Sequence, residues 1–391
     1  PVPRPRPRGW RRALRLALLC FVALVVTLGA VEGAMRLFGM GVPARAPMSQ
    51  TRLIRMTVPE DVAPGLWETL SPGGESSILY PGHGDVPDRT VRYSISAQGL
   101  RDREFAVPKP PWVVRIALVG DSVAYGTGVN AEDSLPKQLE TRLRKALPGA
   151  RIEILNCGVE ATNTSQQVAL ARYRLLAFDP DLWLWCVTIP DASGKNIPRP
   201  PDWGELPAQR WITRLGLTSG RWESAGPQDP RRAAVMKVRG VSVLADTLCH
   251  MVYARLKGSV TVASYRRDWD PTSPGFGQVQ SALTELAATP AGAAGRVRVA
   301  LYPTLTTLNE RYPFQGEAAR LAAVCEGLEL PFLHLIEPLM GLQAPSLHAH
   351  PHDRHPNAHC HGLVAEYWCA ELVPVVREIA RERQAALASG N

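Results

Sequence analysis

Two short stretches, far apart in the chain, hold residue types that together could form a nucleophilic site. The first is "LVGDSVAYGTGV", residues 118–129, in which Ser122 follows an apolar run. The second is "HAHPHDRHPNAHCHGLVAE", residues 348–366, in which Asp353 precedes His355 by two positions. A serine attacks a carbonyl carbon when a histidine takes its proton and a carboxylate orients that histidine. The side chains for this chemistry are therefore present, separated by more than half of the chain.

The glycine-rich turn after Ser122 could instead bind a phosphate or a dinucleotide. A phosphate-binding P-loop requires a lysine after its second glycine, and this turn has none. The pattern Gly126-x-Gly128-x-x-Ala131 mimics a dinucleotide fingerprint only weakly, because its glycines lie several residues beyond the apolar run. The nucleophile elbow of α/β-hydrolases is excluded as well, since it needs a glycine where this chain has Ala124. A serine at the end of a strand is the interpretation that remains.

Each of these side chains also has a purely structural alternative. Ser122 could be only a turn residue, His355 could stand at a helix start, and Asp353 could cap that helix. We expect Asp121 to anchor the turn through hydrogen bonds rather than to take part in chemistry. Six of the nine histidines fall in residues 348–361, but this tract crosses a loop and a helix start, which disfavours convergence on a metal. We expect neither a metal nor a cofactor.

Alternating strands and helices are predicted to position both stretches. The run "VVRIALVG" is typical of a strand buried on both faces, and it ends directly before Asp121. Strands alternating with helices favour a parallel sheet covered on both faces, and such sheets bind ligands at the carboxyl ends of their strands. The predicted strands are 113–120, 150–158, 180–189, 295–303 and 331–336, and the predicted helices are 134–147, 165–178, 317–330 and 357–383.

Together these motifs resemble the SGNH, or GDSL, hydrolase superfamily, in its membrane-anchored bacterial form. The resemblance covers roughly residues 91–380 and rests on Gly120-Asp121-Ser122, Tyr125-Gly126-x-Gly128-Val129, Asn156-x-Gly158, Pro180-Asp181 and Asp353-x-His355-Pro356-Asn357. It implies a flavodoxin-like three-layer α/β/α sandwich with a central parallel sheet. It also implies ester cleavage with Ser122 as the nucleophile, His355 as the general base and Asp353 as the carboxylate that orients it.

The resemblance further implies where the oxyanion of the reaction would bind. The backbone N–H groups of Ser122 and Gly158 would donate to it, and the missing side chain of Gly158 would let the substrate approach. The family's third donor is an asparagine, but this chain has Pro190 there, with neither an N–H nor a side-chain donor. Losing one such donor typically costs about 100- to 1000-fold in rate. Asn163 or Asn196 could replace it.

The N-terminal region predicts a membrane anchor. Residues 1–15, a basic cytoplasmic tail, contain six arginines, and without them the net charge of +8 falls to about +2, so no nucleic-acid partner is expected. Residues 16–38 are predicted to form a single transmembrane helix, because residues 16–31 are free of charge behind a basic flank. A cleaved signal peptide and a buried soluble helix are the alternatives. The basic flank predicts that the remaining chain lies outside the cytoplasmic membrane.

The rest of the chain is predicted to be one hydrolase-like domain behind a connecting segment. Residues 39–90 are rich in proline, glycine and serine and are interpreted as a linker or irregular segment. The domain spans residues 91–385 with an insertion at about 193–274. The seven cysteines lack metal-ligand spacing, and no obligatory disulfide framework is expected.

The function predicted from the sequence is a serine esterase acting outside the membrane. Its substrate would be an O-acyl group of an acylated envelope glycan, a lipid or a small ester. An O-acyltransferase using the same three residues is one alternative, favoured if Pro190 and the insertion exclude water. A catalytically weak envelope scaffold protein is the other.

Overall fold

The computed structural model describes residues 10–38, 48–51, 54–82, 86–193, 206 and 242–389. The chain divides into two compact units. The first unit comprises Pro1–Pro43 and Gly204–Ala263, and the second comprises Ala44–Trp203 and Ser264–Asn391. Most of the predicted insertion, including Asn196, lies outside the described residues.

A five-stranded parallel sheet forms the centre of the second unit. Along the sheet the strands follow the order β10-β9-β8-β6-β7, and every neighbouring pair is parallel. Counted by the sheet's own strands this is 2-1-3-4-5, the doubly wound order of flavodoxin-like folds, so the predicted fold class is confirmed. The strands are β6 (Val113–Gly120), β7 (Arg151–Gly158), β8 (Leu182–Thr188), β9 (Val297–Tyr302) and β10 (Phe332–His334).

Helices cover both faces of this sheet. The chain moves from β6 outward to β7 and then reverses past β6 to β8, so right-handed crossovers place the two connecting helices on opposite faces. The apolar stripe Leu135, Leu139 and Leu143 of the first connecting helix is fully buried, as its helical spacing predicts. The helices of the second unit are α2 (Ser122–Tyr125), α3 (Leu135–Ala146), α4 (Thr164–Tyr173), α6 (Pro274–Ala287), α7 (Pro290–Ala293), α8 (Gln315–Gly327) and α9 (Ala358–Ala388).

The segment interpreted as a linker contains strands, which corrects the prediction for residues 39–90. β4 pairs antiparallel with both β1 and β5, and β2 pairs with β3. Strands of three to six residues between proline and glycine turns are too short to show a period, and their pairing partners are not visible in sequence. The strands are β1 (Met48–Thr51), β2 (Arg55–Thr57), β3 (Glu68–Leu70), β4 (Glu75–Tyr80) and β5 (Arg89–Ser94).

The described residues of the first unit form the long helices α1 (Trp10–Leu37) and α5 (Val243–Asp268), the latter ending in the second unit. Ala13–Leu37 is long and apolar enough to cross a membrane or to serve as a signal sequence. Within this unit the Glu32 carboxylate accepts hydrogen bonds from the Leu244 N–H at 2.8 Å and the Ser242 hydroxyl at 3.1 Å. An acidic side chain of the apolar helix therefore caps the start of α5.

Candidate active site

Ser122 stands at the first position of α2, directly beyond strand β6 of the central sheet. The Asp121 carboxylate caps this helix by accepting a hydrogen bond from the Val123 N–H at 2.9 Å, so Asp121 anchors the turn as predicted. Gly126 ends the helix in the left-handed region, with a φ of 87° that favours glycine. The short helix thus presents Ser122 at the carboxyl end of the strand, between β7 and β8.

Asp353 and His355 lie on one strand of a small hairpin formed by β11 (His348–His350) and β12 (Asp353–Pro356). Side chains two positions apart on a strand point to the same side, so this spacing brings the two together. His355 Nδ1 lies 2.5 Å from Asp353 Oδ1, and His355 Nε2 lies 2.9 Å from Ser122 Oγ. Asn357, rather than Asp353, caps α9. The three side chains singled out by sequence therefore form one hydrogen-bonded chain.

Asp353 and His355 shift each other's pKa values, so that the carboxyl group is the stronger acid and the imidazole the stronger base. Burial by itself raises the pKa of Asp353, but the bonds and charge of His355, with a bond from Tyr80, lower it to about 2. Burial lowers the pKa of His355, but the bond and charge of Asp353, followed by the charge of Asp121, raise it above its ordinary value. An ionised Asp353 holds the proton of neutral His355 on Nδ1, which leaves the Nε2 lone pair facing Ser122.

A buried network beneath the serine ties the turn after β6 to the end of β8. The Thr188 hydroxyl donates to Asp121 Oδ2 at 2.8 Å, while Asp191 Oδ2 accepts from the Thr188 N–H at 3.2 Å and the Thr164 hydroxyl at 3.1 Å. Burial raises the pKa of both carboxyl groups, and the charge of Asp121 raises that of Asp191 further. Neither Thr188 nor Asp191 was a candidate from sequence, because contacts with the turn after β6 and with α4 are not visible as a motif.

Ser122 and His355 open into a cavity of about 470 Å³ at the carboxyl ends of the strands. Its wall combines the loop after β7, the turn after β8, Tyr265 at the end of α5 in the second unit, and strand β2 of the N-terminal region. Neither Arg55 nor Glu160 was a sequence candidate, although both face this cavity. The lining residues are Arg55, Asp121, Ser122, Glu160, Ala161, Thr162, Pro190, Ser193, Tyr265 and His355.

Gly158 is required for a different reason from the one predicted. Its N–H donates to Asn156 Oδ1 at 3.1 Å, and Gly158 is not among the residues lining the cavity. A Cβ there would lie 2.1 Å from the Tyr125 nitrogen, so the missing side chain makes room for α2 rather than for a substrate. The Ser122 N–H, in contrast, has no hydrogen-bond partner within the described part of the chain. Asn163 caps α4 by accepting from the Gln166 N–H.

Pro190 lies in the 3-10 turn Ile189–Ala192 and faces the cavity together with Ser122 and His355. Proline fits the first turn of a helix because no N–H partner is needed there. We expect Pro190→Asn to raise kcat for aryl acetate hydrolysis by about 10- to 100-fold, since the amide adds a donor for the oxyanion. Pro190→Ala is the matched control, because it removes the ring without adding a donor. Equal kcat values for the two variants would contradict the prediction.

The histidine-rich tract spreads its side chains in several directions. His348 Nε2 contacts the Leu305 carbonyl at 3.0 Å, and His350 Nε2 contacts the Pro81 carbonyl at 3.1 Å. His361 is fully buried, and neither of its ring nitrogens has a hydrogen-bond partner among the described residues. Throughout the described part of the chain, no group of three or more histidine, cysteine, aspartate or glutamate side chains is placed to hold a metal ion.

No family model matches this chain, and no curated protein sequence matches it. Solved structures that resemble it include a protein from Desulfitobacterium hafniense described as lipolytic and of the G-D-S-L family, with 12% identity, 66% of this chain, 98% of that chain and a TM-score of 0.34. An acetylxylan esterase from Geobacillus stearothermophilus is 14% identical, and the match covers 66% of this chain and 93% of that chain with a TM-score of 0.36. A two-domain esterase active on acetylated mannans is 14% identical, and the match covers 67% of this chain and 50% of that chain with a TM-score of 0.36.

At such low identities and scores, the fold assignment rests on the strand order of this chain, and the chemistry rests on its own side chains.

Proposed function

We propose that this protein is a serine hydrolase that cleaves ester bonds. Ser122 is the nucleophile, His355 the general base and Asp353 the group that orients and stabilises the histidine. The observation that supports this proposal is the continuous chain from Ser122 Oγ through the His355 ring to Asp353, at 2.9 Å and 2.5 Å. This chain opens into a cavity at the switch point of a doubly wound sheet, where such folds bind their ligands.

The proposed reaction proceeds in two halves. His355 Nε2 removes the proton from Ser122 Oγ as this oxygen bonds to the acyl carbon, and Asp353 stabilises the resulting imidazolium. His355 then gives that proton to the alcohol oxygen as the ester bond breaks, which leaves the acyl group on Ser122. A water molecule next loses a proton to His355 and attacks the acyl carbon. The acid departs, and the proton returns from His355 to Ser122 Oγ.

The Ser122 N–H is the donor that we propose for the developing oxyanion, because it stands at a helix start and has no other partner in the described part of the chain. The Gly158 N–H, also proposed from the sequence, would join it only by exchanging its bond with Asn156 for one to the substrate. This incomplete set of donors is consistent with a slow esterase.

We propose an O-acyl ester of an envelope glycan, a lipid or a small alcohol as the substrate, met outside the cytoplasmic membrane. The polar side chains of Arg55, Glu160, Thr162 and Ser193 line the cavity and suit a hydroxylated alcohol portion. The apolar helix Ala13–Leu37 supports membrane attachment, and the arginines before it support the orientation.

Covalent labelling of the full-length protein with a fluorophosphonate tests the proposal. We expect one adduct per chain, on Ser122 by peptide mass mapping, because the activated oxygen displaces fluoride from phosphorus. Ser193→Ala is the matched control, since Ser193 faces the same cavity but donates to Asp268 at 2.5 Å, and this variant should keep the label. Labelling of Ser193 instead would reject Ser122 as the nucleophile. An unlabelled wild type without ester hydrolysis would reject the serine mechanism and favour the scaffold alternative.

A second measurement separates hydrolysis from acyl transfer. Aryl acetate is supplied with and without an acceptor sugar, and the free acid and the acylated sugar are quantified. We expect free acid in both cases, because the cavity is open to water. Acylated sugar with little acid would favour the acyltransferase alternative.

A further inference from the structure

The N-terminal strands bring a buried tyrosine directly against the candidate active site. Tyr80 is the last residue of β4 and is only 2% exposed. Its hydroxyl donates to Asp353 Oδ2 at 2.7 Å, while Asp353 Oδ1 accepts from the His355 ring. The two oxygens of the carboxylate therefore have separate partners. A residue 273 positions away in sequence thus completes the surroundings of Asp353.

We propose that Tyr80 is a positioning residue, which keeps the Asp353 carboxylate ionised and turned so that Oδ1 faces His355. This inference rests on the proposed function, in which Asp353 orients the general base. A carboxylate bonded through one oxygen can rotate about its Cβ–Cγ bond, whereas a donor on the second oxygen fixes its plane. A residue that orients an active-site side chain in this way acts through that side chain rather than on the substrate.

Tyr80 is itself held by contacts that join both loops of the site. The Arg89 guanidinium lies 4.9 Å from the Tyr80 ring centre and donates to the Gly128 carbonyl at 2.8 Å and the Ala349 carbonyl at 3.0 Å. Gly128 belongs to the turn after Ser122, and Ala349 belongs to the hairpin that carries His355. Arg89 of β5 therefore holds the turn after Ser122 against the hairpin that carries His355, and Tyr80 of β4 lies beside this guanidinium.

The close approach of the Ala349 side chain explains the glycine at position 128, beside the Tyr80 hydroxyl. A Cβ on Gly128 would lie 2.5 Å from the Ala349 Cβ, 3.5 Å from the Tyr80 oxygen and 3.7 Å from Asp353 Oδ2. Its φ of +87° also lies in the left-handed region. Burial, followed by the neighbouring Tyr93 and Asp353, raises the pKa of Tyr80 above its ordinary value. The hydroxyl thus stays protonated and donates to the carboxylate.

Tyr80→Phe tests the proposal by removing one oxygen atom. We expect kcat for aryl acetate to fall about 10- to 100-fold, because an active-site side chain loses the hydrogen bond that orients it. KM should be unchanged, because Tyr80 does not line the cavity. Tyr312→Phe is the matched control. Tyr312 is also buried, and its hydroxyl accepts from the Thr304 N–H at 3.0 Å. This control should lower the melting temperature similarly while leaving kcat within about twofold.

A double variant distinguishes positioning from a general loss of stability. If Tyr80 acts through Asp353, Tyr80→Phe should cause no further loss of kcat in an Asp353→Asn background. Two losses that multiply would overturn the proposal, because they would show that Tyr80 acts independently of the carboxylate.

A spectroscopic measurement tests Tyr80 without relying on turnover. The downfield proton resonance of His355 Nδ1 is assigned by its disappearance in Asp353→Asn. We expect this resonance to shift in Tyr80→Phe and to stay in place in Tyr312→Phe. An unchanged resonance together with an unchanged kcat would overturn the role of Tyr80 and leave the esterase proposal intact. A wild type with the resonance but without ester hydrolysis would instead reject the proposed function.

Discussion

Ser122→Ala is expected to lower kcat/KM for aryl acetate hydrolysis by roughly 10⁴- to 10⁶-fold, because the oxygen that forms the acyl-enzyme is gone. His355→Ala should cause a loss of similar size, since its Nε2 lies 2.9 Å from that oxygen and is its only base in the proposed reaction. The double variant should be no slower than either single one, because two members of one catalytic unit are not additive. Steady-state hydrolysis of the full-length protein measures all three.

The histidine-rich tract supplies the control for these variants. His359 is exposed on the first turn of α9, a few residues from His355, and His359→Ala should retain wild-type kcat/KM. A Ser122→Ala protein as fast as the wild type would reject the proposed mechanism. So would a His359→Ala protein as slow as His355→Ala, because the tract would then act as a whole.

Asp353→Asn is expected to lower kcat on the order of 10⁴-fold while the fold stays intact. An amide placed at the same atoms can donate to His355 Nδ1, which forces the ring proton onto Nε2 and leaves no lone pair facing Ser122. Asp270→Asn is the control, because Asp270 is an exposed carboxylate that accepts hydrogen bonds from Thr272 and lies outside the candidate site. A kcat for Asp353→Asn within tenfold of the wild type would contradict the assigned role.

The same variant should also change the pH dependence of the residual activity. In the wild type, kcat/KM should fall as the pH drops through the pKa of His355, which lies above the ordinary value of 6.5. Asparagine removes the hydrogen bond and charge that raise this pKa, whereas burial of the ring continues to lower it. The acid limb of the profile should therefore move to lower pH. A shift to higher pH would show that Asp353 does not raise the pKa of His355.

The central sheet could be predicted from sequence because its strands are buried on both faces. The predicted strand 113–120 matches Val113–Gly120, and 150–158 contains Arg151–Gly158. Continuous apolar runs between helical stripes mark such strands without any knowledge of their partners. The three residues that meet in the site were likewise recognisable, because each lies beside a loop motif.

Contacts between separate elements account for what the sequence did not reveal. The short strands of the N-terminal region depend on pairing, so Tyr80 looked like part of a linker. The link from Thr188 to Asp121 joins the end of β8 to the turn after β6. Asp121 belongs to the Gly-Asp-Ser motif, but Thr188 belongs to no recognisable motif. The missing side chain of Gly158 was predicted to make room for a substrate, because the motif gives the residue type but does not show that Tyr125 lies beside it.

The bond between Ser122 and His355 joins residues 233 positions apart, and His355 follows all five strands of the central sheet in the chain. During synthesis, a growing chain therefore carries the serine long before it carries the base. Until the hairpin with His355 docks, Ser122 has the weak reactivity of an ordinary alcohol. In the proposed mechanism, the chain therefore cannot attack esters while it is being made, and Ser122 becomes reactive only when assembly of the sheet is complete.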